Sequence, residues 1–459
     1  MHVVIGGGIA GLTAAYIMKF HLGLDVLLLE RSDRIGGWIR SVSHNGAIFE
    51  MGPRSLRTLG SGAATLRLIA ELGIENEILD PDDSAKNRFV YFNQSLHPLP
   101  KSIWQIIRSP LFNGIKRSLI AEIFRKKGDP LIEESLYDFI SRRFNSTLAD
   151  RLVDPFVSGI FAGDPKRLSV NAAFPVLKDI ENQYRSLIFG SFFGSKSKKS
   201  SGSGLISFKN GMEFLPLTLE KKLGVSVRLN SEVKGILPKV DGVLIQLAND
   251  EFMAESIVFA TPAQITGKLI APFARGAADL LNGIECSTVV GCSLAFEKDY
   301  LSSRKGFGHL IPSSEGEDVL GMIYDSSVFA SQNGPGASTR ISVMMGGIRN
   351  KSAWSWSDKQ IESIALDAVG RQLGIHASPS ACFFFRANNA IPQYSLGHHQ
   401  RVKKIREICE NSFSIPVHLV GSWSNGIGIG DLIQSGYEIP ASTFGAMIAK
   451  NQGAPYCGI

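Results

Sequence analysis

The stretch HVVIGGGIAGLTAAYIMKF, residues 2–20, decides how the rest of the chain is read. Residues 2–5 have the apolar character of a short strand, and from Leu12 onward the chain reads as an apolar helix. Gly6, Gly8 and Gly11 between them fit the spacing G-x-G-x-x-G. That spacing serves a tight turn, a close backbone approach to a pyrophosphate, and close packing of helix on sheet. N–H groups left free at the helix start would face the phosphates, and the helix dipole favours their charge. A glycine turn that holds no ligand is the plain alternative.

The next strand signal, DVLLLE, ends at Glu30, nineteen residues beyond Gly11, where a carboxylate can accept hydrogen bonds from ribose hydroxyls. The segment RSDRIGGWIRS follows at once, and Gly36-Gly37 lets the backbone pass close to a further part of a long cofactor. A nicotinamide cofactor does not need that extension, so the constellation points to FAD. An ordinary surface acid at a strand end is the alternative for Glu30.

At 459 residues the chain is too long for one ordinary core, which predicts two or three domains. Apolar residues at 44% against 20% charged describe a folded globular protein. The net charge of +6 gathers partly in FRKKG (124–128) and KSKKS (196–200), suited to an anionic membrane or to solvated loops. No basic helix or aromatic-basic module argues for nucleic acid. Five scattered cysteines, with no C-x-x-C, predict neither a disulfide framework nor a metal site. Cys457 misses the four-residue prenylation pattern, no leader precedes the first strand, and no apolar run is long enough to span a bilayer.

Further on, NGAIFEMGPRSLR (45–57) predicts a strand closing on Gly52-Pro53, followed by a helix over 63–73. NRFVYFNQSLHPLP (87–100) predicts two short strands around Asn93-Gln94, with Arg88 at their head. From 101 to about 195 helical periodicity dominates: Ile103, Trp104, Ile107, Leu111, Ile115, Leu119 and Phe124 alternate with Arg108, Lys116, Arg117, Arg125 and Lys126. Pro110 should split that run into two helices. Basic amphipathic helices suit a membrane surface, and equally an inserted domain packing on itself. SLIFGSFFG (186–194) continues the helical texture, and the Ser/Gly/Lys-rich stretch 195–204 reads as a return linker.

The α/β texture then resumes, with a helix from about Leu215, strands through Val225 to Val233, and a buried strand in SIVFATPAQI. Residues 285–415 predict a sheet with one exposed face, built from STVVGCSLAF, TRISVMMGG and ACFFFRAN and interrupted by a helix at 357–374. The tail VHLVGSWSNGIGIGDLIQSG (417–436) predicts a second strand-glycine-helix unit, the helix beginning near Asp431. Its N-terminus would serve the flavin ring, where negative charge gathers on reduction. A structural C-terminal helix is the alternative.

The ordered set GGGIAGL, RIGGWIRSV, NGAIFEMGPRSLR, NRFVYF, GIFAGDPKRLSV, GMEFLP, GFGHLIPSSE, IPQYSLGH and the glycine-rich tail resembles the flavin amine oxidases, and within them the eukaryotic-type protoporphyrinogen oxidase family, over nearly the whole length. The resemblance implies an α/β fold: a Rossmann-like FAD domain of the p-hydroxybenzoate hydroxylase type, a mixed-sheet substrate domain, and an inserted helical membrane-binding domain. The division it implies is 1–86, 201–284 and 416–459 for FAD, 87–100 and 285–415 for substrate, and 101–200 for the insertion.

The implied activity is that of an oxidoreductase on CH–CH groups, the six-electron oxidation of protoporphyrinogen IX to protoporphyrin IX, with oxygen as acceptor and hydrogen peroxide as product. A homodimer on the intermembrane-space side of the mitochondrial inner membrane goes with it, as the penultimate step of haem biosynthesis. No metal is implied. Carried over by position, FAD contacts fall on Gly6, Gly7, Gly8, Ile9, Ala10, Gly11, Glu30, Arg31, Trp38, Gly52, Pro53, Arg54, Ser55, Val233, Ser422, Ile427, Gly428 and Ile429. Arg88 falls on the residue that pairs with a substrate propionate, Gly159 on the backbone that nears the porphyrin, and Phe307, Leu310 and Met344 on its apolar walls. Arg54 is expected to order the flavin loop and to stabilise charge on the reduced ring. Ser158 stands where the mammalian members carry a basic residue, so that position supplies no second cation. Two rivals are an oxidase acting on amines or carotenoids and a non-enzymatic flavin-stabilised scaffold. An amine oxidase needs an aromatic cage, for which the tail offers only Trp423.

Overall fold

The structure, a computed structural model, describes residues 1–130, 132–193 and 204–439, with the side chains of 191–193 left aside. The cluster KSKKS, nearly all of the linker 195–204, and Cys457 lie outside the described residues.

His2–Ile5 is the middle strand of a five-stranded parallel sheet, flanked by Val26–Leu29 and Ser256–Phe259 and completed by Val227–Arg228 and Val417–Leu419. Its residues alternate between two cores, as strand geometry dictates. Val4 packs with the helices Ile9–Tyr16, Gly62–Leu72, Phe214–Leu223 and Ile429–Tyr437. Val3 and Ile5 pack on the other side with Ala263–Ile270, Arg275–Asn282, His398–Ser412 and a three-stranded antiparallel sheet spanning 235–254. The first helix begins at Ile9, three residues earlier than its apolar run suggests, and it is buried along its whole length. Being enclosed on all sides, it carries no polar stripe to mark its start.

Two expectations are corrected. Only Val227–Arg228 forms a strand within Val225 to Val233, because Gly224 and Asn230 adopt positive φ on either side. The helix His398–Ser412 packs through Val402, Ile405 and Cys409 on the five-stranded parallel sheet, although the sequence places it in the segment running to 415.

The second sheet has seven strands in the order Ala381–Pro392, Cys286–Phe296, Thr339–Gly346, Val319–Ile323, Gly308–Leu310, Arg88–Phe92, Ser95–Pro98. It is mixed, since Gly308–Leu310 runs parallel to Arg88–Phe92 while the other pairs are antiparallel. Asn93 and Gln94 both take positive φ, as a two-residue hairpin turn requires. Asp358–Leu373, with a Ser357/Gln360 capping box, covers one face. The expected exposed face is absent from the interior strand Thr339–Gly346, where Met344 is half-buried and every other residue is buried.

The helical insertion packs on the second sheet, where Leu111, Phe112 and Ile115 join Val90. Pro110 does break the run, separating Ile103–Arg108 from Lys116–Glu122 by a 3-10 turn. Its interior holds a balanced ionic network: Arg143 bonds Glu122, both fully buried, while Arg142 and Lys178 each reach Glu134 at 2.7 Å and Arg142 reaches Glu181 at 2.9 Å. Removing one member of such a set leaves an uncompensated buried charge, which costs about 3–5 kcal/mol. Among the described residues no helix is long and apolar enough to cross a membrane, and no group of side chains could hold a metal ion.

Candidate active site

At the first glycine loop, space is allotted residue by residue. A Cβ on Gly11 would lie 1.9 Å from the Gly6 carbonyl oxygen, and one on Gly6, whose φ is +110°, would lie 2.7 Å from the Ala260 oxygen. These two glycines let helix and strands meet. Gly8 differs, because a Cβ there would meet nothing within 4 Å. Its open flank at the start of the helix Ile9–Tyr16 is the space a pyrophosphate needs. Glu30 accepts from the Gly7 N–H at 2.7 Å and from the Ser32 N–H and hydroxyl at 2.9 and 2.6 Å, which points its carboxylate at the loop. Gly36 donates to the Gly7 oxygen at 2.8 Å, so the second glycine pair is docked directly on the first loop. Arg31 and Trp38 are exposed on either side of it, and Val233 is buried beside Leu29 in the core below.

The tail brings a second helix N-terminus to the same region. Ile429–Tyr437 begins close to Ser61, and Gly436 packs on Thr13 of the first helix. Asp431, the third residue of that helix, accepts from the Gly428 N–H at 3.1 Å and so closes the loop 426–431 on itself. Tyr394, from the IPQYSLGH motif, anchors the loop: its hydroxyl bonds the Ser422 oxygen and accepts from the Gly426 N–H at 3.0 Å. Sequence reading gave Tyr394 no role; only the return of a strand 30 residues upstream supplies one. Trp423 is 1% exposed and its ring N–H donates to the Thr261 oxygen at 3.2 Å. It belongs to the nucleotide-domain core, so no aromatic cage forms from it.

Arg54 follows the Gly52-Pro53 turn, where a Cβ on Gly52 would lie 1.8 Å from the Trp38 oxygen. Its guanidinium donates to the Gly52 oxygen at 3.0 Å, stands 3.4 Å from Asp325, and lies over the Phe385 ring. Its Nε meets Asp325 as that ion pair alone, without a hydrogen bond, and one terminal nitrogen is buried without a hydrogen-bond partner among the described residues. Buried donors of a cation are costly to leave unpaired. An acceptor-bearing ring system above Phe385 would satisfy them, so these residues fit a flavin.

Beside Arg54, Glu50 is buried and accepts from the Met212 N–H at 2.8 Å and the Ser41 hydroxyl at 2.7 Å. Burial pushes its pKa up to about 7, against the pull of those two bonds and of Arg54. The native state therefore keeps a proton that the unfolded chain releases near pH 4.5, so this contribution to stability is complete below that pH and is lost as pH rises through about 7. Glu50→Gln is expected to flatten the fall in Tm across that window, and a Tm profile of unchanged slope would refute the assignment.

The seven-stranded sheet builds a trough by register. Leu310, Gly321, Met344, Gly291 and Phe385 stand opposite one another on five adjacent strands, and so point to one face. The two glycines remove every second side chain from that row. Gly291 is constrained by its neighbours as well, since a Cβ there would lie 2.1 Å from the Val343 oxygen. Two residues along, and therefore on the same face, runs the row Arg88, Gly308, Ile323, Ser342. Ser342 donates to Asp325 at 2.7 Å, and Asp325 faces Arg54, which places the trough beside the flavin loop. Over its Leu310 end lies the helix Asp154–Phe161, where Gly159 sits so close that a Cβ would be 2.6 Å from Leu310 Cδ2. The predicted residues Gly159, Leu310, Met344 and Arg88 are thus brought together. Sequence reading missed Gly291, Gly321 and Phe385, whose role depends on strand register.

Arg88 is exposed, lies 5.0 Å over the Phe307 ring, and has no hydrogen-bonded or ionic side-chain partner among the described residues. Partial burial under that ring, and then the charge of Arg57, hold its pKa below the usual arginine range. Arg57, on the strand Leu56–Arg57 just past the flavin loop, is a second exposed guanidinium near it that sequence reading missed. Ser158 donates back to the Asp154 oxygen at 3.0 Å and offers the trough nothing.

The family model described as flavin containing amine oxidoreductase matches residues 9–437. Human protoporphyrinogen oxidase is 35% identical, over 96% of this chain and 98% of its own length, and the Schizosaccharomyces pombe protoporphyrinogen oxidase is 30% identical over 95% and 96%. Coproporphyrinogen III oxidase of Bacillus subtilis is 27% identical over 95% and 96%. A solved Exiguobacterium structure superposes with a TM-score of 0.84 over 98% of both chains at 20% identity, a likeness of fold alone. These matches show that the chain belongs to the flavin containing amine oxidoreductase family and, within it, to the protoporphyrinogen oxidases.

Proposed function

We propose that this chain oxidises protoporphyrinogen IX to protoporphyrin IX with FAD as cofactor and oxygen as acceptor, six electrons being removed in steps that each release one hydrogen peroxide. The observation that carries this reading is the trough: Gly321 and Gly291 bring no side chain to its floor, so Leu310 and Phe385 lean over them on either side of Met344, and Arg88, with no hydrogen-bonded or ionic partner among the described residues, stands at its end. A broad apolar slot with cations at one mouth is what a macrocycle with two carboxylates requires. Gly6 to Gly11, Glu30, Gly36-Gly37, Arg54 and the loop Ser422 to Ile429 would hold FAD, which when bound supplies the two-electron acceptor.

The side chains do the remaining work. Arg88 presents a planar fork to a propionate, with Arg57 near enough to share the second one. Leu310, Met344 and Phe385 support the ring, while Gly159 lets a helix backbone approach it from above; together they keep the reacting carbon oriented and dry. Arg54 offers its unsatisfied nitrogens where negative charge gathers on reduction. His309 lies on the opposite face of the sheet, bonded to Tyr324 at 2.8 Å and Gln372 at 2.7 Å, and takes no part.

The test is aerobic incubation with chemically reduced protoporphyrin IX, reading porphyrin fluorescence and peroxide together, with coproporphyrinogen III as the comparison. Yellow protein that forms neither product above autoxidation would end the proposal. Preference for the tetracarboxylate would move the substrate and leave the chemistry.

The same reading seats the insertion on the mitochondrial inner membrane, at its intermembrane-space side, as a homodimer. Support comes from the outer surface of the first two insertion helices, where Trp104 is 73% and Phe124 82% exposed, with Ile103 and Ile120 beside Arg108, Lys116 and Arg117. Fully burying one such side chain is worth about 1.5–3 kcal/mol, so Trp104→Glu with Phe124→Glu is expected to weaken binding to anionic vesicles about 100-fold while activity in detergent persists. Unchanged vesicle binding would remove the membrane assignment.

A further inference from the structure

The helix Asp154–Phe161 continues helical backbone that begins at Ser146, and it is held to the substrate sheet at two points, near Phe161 and at Asp154. At its C-terminal end the Phe161 oxygen accepts from the Ser287 hydroxyl at 2.9 Å and the Gln393 amide at 2.8 Å, and the Ala162 oxygen accepts from the Ile348 N–H at 2.8 Å. These are neutral bonds. At the other end the fastening is ionic: Asp154, its first residue, accepts at one carboxylate oxygen from Arg349 at 2.7 Å and from the Ser313 N–H at 2.7 Å. Arg349 also donates to the Ile311 oxygen at 2.9 Å. One ion pair thus joins three elements: the helix that carries Gly159, the segment 311–313 just beyond Leu310, and the turn after the strand that carries Met344. Both partners are largely buried, with side chains 11% and 18% exposed, where attraction is little screened by water.

Between the two fastenings the helix spans the trough edge-on. Ser158 and Gly159 face inward with no long side chain to act as a spacer, and Phe156 and Ile160, four residues apart, face outward. Gly159 rests on the Leu310 side chain itself and Val157 and Phe161 pack the other flank into the insertion core, so the ion pair fixes how this segment is pressed onto Leu310. Because Arg349 is already neutralised by Asp154, it is not a spare cation for substrate carboxylates.

We propose that Asp154 and Arg349 are positioning residues that hold the Gly159 backbone against Leu310 at the edge of the trough, and so set affinity for the macrocycle's ring rather than for its carboxylates. The proposal rests on the function given above. Neither residue touches the reacting atoms; each acts through the helix.

The test compares Arg349→Met and Asp154→Asn with the conservative Arg349→Lys in the FAD-loaded protein. Arg349→Met and Asp154→Asn are expected to raise KM about 10-fold with kcat within about 2-fold, equally for protoporphyrinogen IX and for its dimethyl ester, and with an unchanged flavin spectrum. Arg349→Lys recovers part of the loss. Amide hydrogen exchange across 155–161 should quicken about 10-fold in Arg349→Met while the parallel sheet is unaffected. Faster exchange with an unmoved KM would overturn the proposal, as would a KM rise confined to the free dicarboxylate, or equal loss of flavin and activity in Arg349→Lys. If wild-type protein fails to oxidise any porphyrinogen, the functional reading fails by that result. Exchange at 155–161 left unchanged in both disrupted variants refutes the ionic fastening independently.

Discussion

Replacing Arg88 by alanine is expected to raise KM for protoporphyrinogen IX roughly 30- to 100-fold, the loss of a charge-assisted pair worth about 1.5–3 kcal/mol net, with kcat little changed. Arg88 stands at the strand head, is supported from one side by the Phe307 ring, and has no competing carboxylate partner among the described residues. Its fork is therefore free to take an incoming acid. The dimethyl ester of the same substrate should be oxidised equally by wild type and variant, which separates carboxylate recognition from ring binding. Arg88→Lys should recover only part of the loss, since an ammonium cannot make the paired contact. Arg57→Ala should shift the same parameter by a smaller factor. Equal KM values for wild type and Arg88→Ala would exclude this end of the trough as the carboxylate site.

Gly8→Ala and Gly11→Ala are expected to part company, although both are single methyl additions in one loop. Gly8 has φ −70° and open space on its flank, so alanine there leaves the fold and the Tm of the flavin-free protein intact. The methyl occupies the pyrophosphate approach, and FAD content should fall by at least about 10-fold, visible as loss of yellow colour on purification. Helix propensity alone favours alanine over glycine at Gly11 by about 1 kcal/mol. That preference is overridden, because the methyl would meet the Gly6 backbone oxygen at 1.9 Å and no rotamer can relieve it. Gly11→Ala should lower Tm as well as flavin content, by several kcal/mol of strain that only separation of helix from sheet can release. A Gly8→Ala protein that retains its full flavin would place the pyrophosphate elsewhere.

What was legible in the sequence is what is local. The glycine loop, Glu30 and the Gly36-Gly37 pair each announce their role within a few residues, and the structure docks them on one another. Pro110 and the Asn93-Gln94 turn are likewise punctuation marks whose effect needs no tertiary context. The strands around Val225 failed because two positive-φ positions cut a run that looks continuous by composition. The boundary at 415 assigned residues 398–412 to the other sheet's segment because the helix there, not read in the sequence, shows only a short apolar stripe, Val402, Ile405 and Cys409, that says nothing about which sheet it meets. The trough floor was out of reach for another reason. Gly291, Gly321 and Phe385 are separated by up to 94 positions, and only hydrogen-bonded register makes them neighbours. Arg57 lies on a strand of a different sheet from Arg88, so nothing local in the sequence announces that the two charges are neighbours.

That floor has a consequence for how the protein can change. Leu320 is an extra residue, a bulge opposite the Met344–Met345 step, and it decides that Gly321 rather than its neighbour comes to lie across from Met344. Deleting Leu320 alters no residue that would touch a ligand, yet it exchanges inner for outer side chains along part of that strand. Lineages of this protein should therefore accept point changes around the floor more readily than length changes there, and gaps in this short segment should be rarer than in the exposed turns at either end of the sheet.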